Sequence, residues 1–272
     1  MLRLNWPRNL TKVALLGLLA IPLIGFAQSY TGPGGVIDMD GERFPPEDPH
    51  EKAEWTFARY HYDMDGFQYG RFRFQRWAAD YPKSDRQFVI GVNRLTRVNA
   101  RSKEHVIDGK SDEIYDYPWL YVEDAGAWNM EPEQAKRLRE FLLRGGFFMV
   151  DDSHGDREWE TLEAGLKMVF PDRPIIDLPN QEEIFHIVYD LDDRTQIDGT
   201  RYIWGRMRYT PDSATAQWRG IRDDKGRLMV AICHNSDIGD AWEWADSPQY
   251  PEHEASLAYR IGMNYIIYGM TH

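Results

Sequence analysis

The chain has 272 residues, with 32 Lys and Arg set against 44 Asp and Glu, and a single cysteine. A formal charge of −12 at pH 7 argues against nucleic acid or anionic lipid as a partner, since both are held through Lys and Arg contacts to phosphate. With Cys233 alone no internal disulfide can form, so stability has to come from a packed core.

Arg3, Arg8 and Lys12 precede the apolar run VALLGLLAIPLIGFA, which ends in small residues at Gly25 and Ala27. This is the pattern of a secretory signal peptide. The run falls short of the roughly 20 apolar residues a spanning helix needs, so a retained anchor is the lesser alternative. Cleavage is expected after Ala27, leaving no membrane span and a periplasmic or secreted chain. The residue after Ala27 is Gln28 and not a cysteine, which rules out lipid attachment there. Losing three basic residues and no acidic ones leaves 29 basic against 44 acidic, a mature charge of −15.

Residues 28–53 are rich in Gly and Pro and read as an extended arm. Residues 54–272 read as one α/β domain. EWTFARYHY opens it as an aromatic strand, with Trp55, Phe57, Arg59 and His61 on one face. SDRQFVIGVNRLTRV reads as a helix with Ser84 as its N-cap. PWLYVED is a short apolar strand ending in Glu123 and Asp124. EPEQAKRLREFLLRGG is the clearest helix, with Pro132 in its first turn and Gly145 and Gly146 stopping it.

The strand FFMV follows, then the helix REWETLEAGLKMVF and the strand RPIIDL. WRGIRDDKGRLMVAIC reads as two strands around a turn at Asp223 to Gly226, forming an antiparallel edge or extension. The last helix, 254–270, puts Ala258, Ile261, Gly262, Tyr265, Ile266 and Gly269 on one stripe. Alternating strands and helices, with strands apolar on both faces, argue for a mostly parallel sheet covered by helices.

In open α/β sheets ligands bind beyond the carboxyl ends of the strands. The FFMV strand runs straight into Asp151, Asp152, Ser153, His154 and Asp156. If the sheet is parallel, these groups share a rim with Glu123 and Asp124, and with Tyr62, Asp63 and Asp65 after the first strand. Asp151, Asp152 and His154 are the candidate catalytic groups, as base, acid or ligand.

A second constellation follows Cys233: His234, Asn235, Asp237, Asp240, Trp242 and Glu243. With Asp124, and with His186 beside Glu182 and Glu183, these are the candidate ligand-binding residues. Carboxylates with histidine suit a divalent metal, although no HExxH or CxxC spacing supports one.

Each feature also has a structural reading. Asp152 or Ser153 would cap the following helix, Asp237 would make an Asx-turn, His154 and His186 would be ordinary loop and half-buried residues, and the tryptophans would fill the core. Cys233 ends an apolar run and reads as a buried thiol.

FARYHYD, WAADYPKSDRQFVIGVNRLT, YPWLYVEDAG, LREFLLRGGFFMVDDSHGD, VFPDRPIIDLP, IFHIVYDL, DIGDAWEWAD and RIGMNYIIYG occur in that order. Together they resemble the bacterial family catalogued as domain of unknown function 4159, from about Trp55 to the C-terminus. The resemblance implies a flavodoxin-like three-layer sandwich of the class I glutamine-amidotransferase-like and trehalose-utilisation-like kind. It also implies a mostly parallel sheet with an antiparallel extension.

Enzymes of that fold that hydrolyse glutamine place a cysteine on the elbow where Asp151, Asp152, Ser153 and His154 stand here. The expectation is therefore an amidotransferase-like domain without its nucleophile. It would be a ligand-binding or scaffold module of the cell envelope, recognising a carbohydrate or an envelope protein. The alternative is a carboxylate- and His-dependent hydrolase, with or without a metal, acting on a carbohydrate or another envelope component.

Overall fold

The computed structural model describes residues 51–63, 75–192 and 194–272, together with the short paired segments Tyr30–Gly32 with Gly35–Ile37 and Gln68–Tyr69 with Phe72–Arg73. The signal-peptide reading and Asp65 lie outside these residues.

Seven strands form the main sheet: β1 (Ala58–His61), β2 (His105–Asp108), β3 (Trp119–Val122), β4 (Phe147–Ser153), β5 (Ile176–Asp177), β6 (Gln217–Arg222) and β7 (Leu228–His234). Their order is β2-β1-β3-β4-β7-β6-β5. The first five in this order run parallel to one another, while β6 is antiparallel to both β7 and β5. From β1 the chain first builds outward to β2 and then crosses to β3. Such a reversal leaves a crevice at the carboxyl ends of the two strands.

Side-chain alternation divides the core into two halves. On one face Trp119, Tyr121, Phe147, Met149, Ala231 and Cys233 meet α1 (Lys83–Leu95), α5 (Ile238–Glu243) and α6 (Glu252–Thr271). On the other, Leu120, Val122, Phe148, Val150, Val230 and Ile232 meet α2 (Pro132–Leu143) and α3 (Gly155–Val169). The product is a three-layer α/β/α arrangement. Small residues seat α6 closely: Gly269 lies against Phe147 and Trp119 of the sheet, and Gly262 against Phe88 of α1 and Trp242 of α5.

α2 begins with a capping box between Glu131 and Gln134, and Gly145 leaves the helix at φ +115°. Gly146 then brings the chain directly into β4, whose seven residues are all buried.

Three local expectations change. Ser84 is not the cap of α1, which starts after Pro82 with no side-chain cap. Its Oγ instead accepts from Arg59 at 3.0 Å and donates to Asp85 at 2.9 Å, because a buried guanidinium needs acceptors. The RPIIDL segment pairs only through Ile176 and Asp177, antiparallel at the outer edge, where flanking Pro174 and Pro179 offer no N–H to a ladder. The Cys233 strand belongs to the parallel body, not to the extension. β7 is buried along its whole length and pairs in parallel with β4, while β6 is the partly exposed extension.

Candidate functional site

The tips of β3, β4 and β7 and the loop before α1 meet at one pole of the sheet. Four non-glycine residues here take the left-handed region: Asp124 and Asn235 just past β3 and β7, Asp152 at a bulge within β4, and Asp80 in the loop before α1. Asp80 has φ +59°, Asp124 +52°, Asp152 +47° and Asn235 +63°. Asp and Asn tolerate this region better than other side chains, at a cost of about 1–3 kcal/mol each, and such residues gather at functional sites. The turns aim acidic side chains inward. Asp152 is not a helix cap: α3 takes His154 as its N-cap residue without a cap from that side chain, and the first-turn N–H groups of Gly155 and Asp156 donate instead to Asn235 Oδ1 and Asp212 Oδ2, both at 2.9 Å.

Three overlapping sets of ligand-type groups result. Asp152, His154 and Asp237 each bring one ligand atom within 4.8 Å of the others. Asp80, Glu123 and Asp237 do the same, as do Asp80, Asp240 and Glu243. Asp237 belongs to the first two sets and Asp80 to the last two.

Several atoms here lack hydrogen-bond partners despite deep burial: Oδ1 of Asp152, Oε1 of Glu123, and both ring nitrogens of His154. Nε2 of His154 stands 3.0 Å from Oδ1 of Asp152, an ion-pair distance without hydrogen-bond alignment. Leaving such groups unpaired costs roughly 1–3 kcal/mol each, so a buried cluster of them marks a place built for something else to complete.

Glycines keep the space open. A Cβ on Gly239 would lie 2.6 Å from Oε2 of Glu123 and 2.9 Å from both Oδ2 of Asp80 and the Tyr121 hydroxyl. One on Gly199 would collide with Asp237.

Cations surround the acids. Arg59, rising from β1, is gripped by Asp85, donates to the carbonyls of Trp77 and Ala79 at 3.0 and 3.2 Å, and approaches Glu123 at 3.6 Å. Arg76 pairs with Asp124 and, at 2.7 Å, with Glu158. Arg201, from α4 (Thr200–Ile203), reaches Asp152 at 3.3 Å.

The electrostatics divide the carboxyls. Burial pushes Asp152 up, but Arg201, His154 and Arg76 outweigh it and hold the group at about 2, ionised at neutral pH. Burial and the Asp152 charge push its neighbour Asp151 up to about 8. Glu123 is raised well above the usual range by burial and by Asp151, and Asp80 and Asp237 are raised likewise by burial and the surrounding acids. Carboxyls pushed this far release their protons once a cation arrives.

The remaining expected residues have varied fates. Asp151 ties the layers together: its Oδ2 accepts from the backbone N–H groups of Ile238 and Gly239, both at 2.9 Å, and from Tyr121 at 2.8 Å. Asp237 makes the Asx-type cap of α5, accepting from the Asp240 N–H at 2.9 Å, and also reaches the ligand sets. Asp240 accepts from the backbone N–H of Thr200 at 2.7 Å and from its hydroxyl at 2.9 Å. Asp124 is at the rim but paired with Arg76.

His234 packs beside Trp159 and Arg219, outside all three ligand sets. Asn235 bonds three backbone groups, from Gly155, Asp212 and Thr215. Trp242 is fully enclosed, stacked on Phe88 at 4.1 Å. His186 sits elsewhere, exposed with Asp190 and Asp192. Asp63 pairs with Lys110 at 2.6 Å.

No motif marks Asp80, Arg76 or Arg201 as functional, and Arg59 stands out only as a residue on one face of the first strand. The only sequence signal at Asp80 is its place in the AADYP turn ahead of α1.

Among the described residues no helix is long and apolar enough to cross a membrane. No curated protein matches the chain. The model of the family described as Domain of unknown function (DUF4159) matches residues 56–270, almost the whole folded region, and the chain belongs to that family.

Proposed function

We propose that this is an exported envelope protein whose acidic rim takes up a divalent cation and uses it to hydrolyse a carbohydrate or another envelope component. The observation that carries this reading is the convergence of Asp152, His154 and Asp237, with Nδ1 of His154 buried without a partner and Oδ1 of Asp152 meeting only the His154 ring, outside hydrogen-bond alignment. A cation held there would lower the pKa of bound water toward neutrality and polarise a substrate oxygen.

Arg201 and the stacked rings of Tyr202 and Tyr209, 3.9 Å apart and beside His154, are partly exposed and form the approach to the site. Hydrolysis needs only water as co-reactant. Its oxygen joins the scissile carbon, one of its protons passes to a rim carboxylate, and that proton is handed to the leaving oxygen as its bond to the carbon breaks, the other proton staying on the new hydroxyl.

The strand order also fits a flavodoxin-like, amidotransferase-like ancestry, but without thiol chemistry. Cys233 is fully buried and its thiol is pushed up by burial and by Asp151, far from a reactive thiolate. Export rests on the basic and apolar N-terminal pattern.

A second reading, a cation-stabilised binding module without turnover, draws support from enclosure: Glu123 is 0% and Asp237 1% exposed, leaving little room for a reacting group beside them.

Calorimetric titration of chelator-treated protein with Mn2+ or Zn2+, repeated with Asp152→Ala, tests the site. Hydrolysis of envelope glycans by the loaded protein then separates the readings. Binding with turnover, with turnover and the binding at Asp152 lost in the variant, is the expected result. Binding without turnover leaves the module reading, and neither binding nor turnover overturns both.

A further inference from the structure

We propose that the rim holds two divalent cations, not one, with the Asp237 carboxylate shared between them. This deepens the single-cation reading of the same site and rests on it. The first position is Asp152, His154 and Asp237. The second is Asp80, Glu123 and Asp237, with Asp240 and Glu243 behind Asp80.

Two independent observations on either side of Asp237 point to ligands. On the first side, Nδ1 of His154 is buried without a partner, and its Nε2 and Oδ1 of Asp152 have only each other, at 3.0 Å and outside hydrogen-bond alignment. On the second, Oε1 of Glu123 is in the same condition within a residue that is 0% exposed. One cation cannot satisfy both, because the two groups belong to different ligand sets that meet only in Asp237.

Charge leads to the same number. Asp80, Glu123, Asp124, Asp151, Asp152, Asp237, Asp240 and Glu243 crowd one pole against Arg59, Arg76 and Arg201. Arg59 is already engaged by Asp85, and Arg76 by Asp124 and Glu158. Once cations displace their protons, these eight carboxylates against three arginines carry five excess negative charges (8 − 3), of which one dication offsets two and a pair offsets four.

Donor chemistry defines the two positions. The first mixes imidazole nitrogen with carboxylate oxygen, which suits Mn2+, Fe2+ or Zn2+; the second is all oxygen, which suits Mg2+, Ca2+ or Mn2+. Paired hydrolytic centres place their ions about 3.5–4 Å apart with a bridging ligand, and a carboxylate common to both sets is that element here. Gly239 and Gly199 bring two backbone segments against these carboxylates without side chains that would occupy the space.

Mn2+ is the probe that fits both positions. The full chain, stripped with chelator, is saturated with Mn2+, bound metal per chain is counted by equilibrium dialysis, and the electron paramagnetic resonance spectrum is recorded. Two Mn2+ per chain with an exchange-coupled spectrum are expected. His154→Ala and Glu123→Gln should each drop the count to one and replace the coupled spectrum with that of an isolated ion. Glu123→Gln keeps its shape and can still accept from Tyr121, so it serves if His154→Ala fails to fold, as judged by circular dichroism.

A single, uncoupled Mn2+ at saturation in the parent chain overturns the pair while leaving the single-cation reading intact. Two ions without coupling, or coupling that survives Glu123→Gln, overturns the assignment of Asp237 and Glu123. No bound Mn2+ overturns both readings.

Discussion

Gly239→Ala puts one methyl group into the centre of the acidic cradle. The new Cβ would stand 2.6 Å from Glu123 Oε2 and 2.9 Å from both Asp80 Oδ2 and the Tyr121 hydroxyl. Gly239 sits in α5 outside the left-handed region, and its N–H bond to Asp151 survives the change, so the backbone itself gains from alanine by about 1 kcal/mol. Against this, overpacking a closed site costs roughly 1–3 kcal/mol. The net change in the metal-free protein is a loss of up to about 2 kcal/mol, or a fall in Tm of no more than roughly 8 °C for a domain of this size.

The larger effect should be on cation uptake. An ion present at about 100 times its Kd adds about 2.7 kcal/mol per site, which raises Tm by roughly 5–11 °C. The methyl group displaces the two carboxylates that would hold it, so the variant should lose that increment almost entirely. Differential scanning calorimetry of both proteins, with chelator and with Mn2+, measures the two effects separately. A Gly239→Ala protein that is stable and still shows the full Mn2+-induced rise would refute the placement of the site between Glu123 and Asp80.

Arg59→Met should cost about 3–5 kcal/mol in urea denaturation, because Asp85 is left charged and enclosed, and adding Asp85→Leu should recover part of the loss. Asn235→Ala removes a side chain that satisfies three backbone groups at a left-handed position and should cost more than about 2 kcal/mol; Asn235→Gly should recover only the backbone share, read by the same denaturation. His234 is held down to about 4 by burial and by Arg219, from 6.5. The unfolded chain therefore binds the extra proton first, and stability should fall as pH drops from about 6.5 to about 4. His234→Gln should flatten that part of the Tm-against-pH curve, and an unchanged slope would contradict the assignment.

The sequence was most informative where local chemistry and burial agree. The stretch from Glu131 to Val150 carries a proline-started helix, a double-glycine stop and an apolar strand, and the structure follows it closely, carrying the strand three residues further, through Asp151 and Asp152 to Ser153. Orientation was harder. RPIIDL and RLMVAIC are both apolar runs, and an apolar run looks the same whether its neighbours are parallel or antiparallel. Only the complete burial of Leu228–His234 reveals that it is central.

At the rim, a motif-by-motif reading could find Asp152, His154 and Asp237 because strand ends point to them. It could not find Asp80, which is one acid among 44 and is separated from Asp237 by more than half the chain. His154 and His186 look alike in sequence, each flanked by acids. The fold puts one at a strand tip among buried carboxylates and the other in an exposed loop.

The left-handed turns at Asp80, Asp124, Asp152 and Asn235 make the backbone itself a selector of side chains. At each corner most residues would strain the chain, glycine would relax it, and only the short Asp and Asn fit while contributing an oxygen. Fold and chemistry thus draw on the same four positions in opposite senses. A glycine at Asp80 or Asp152 would ease the conformation while removing a donor, so selection for rigidity alone would erode the rim.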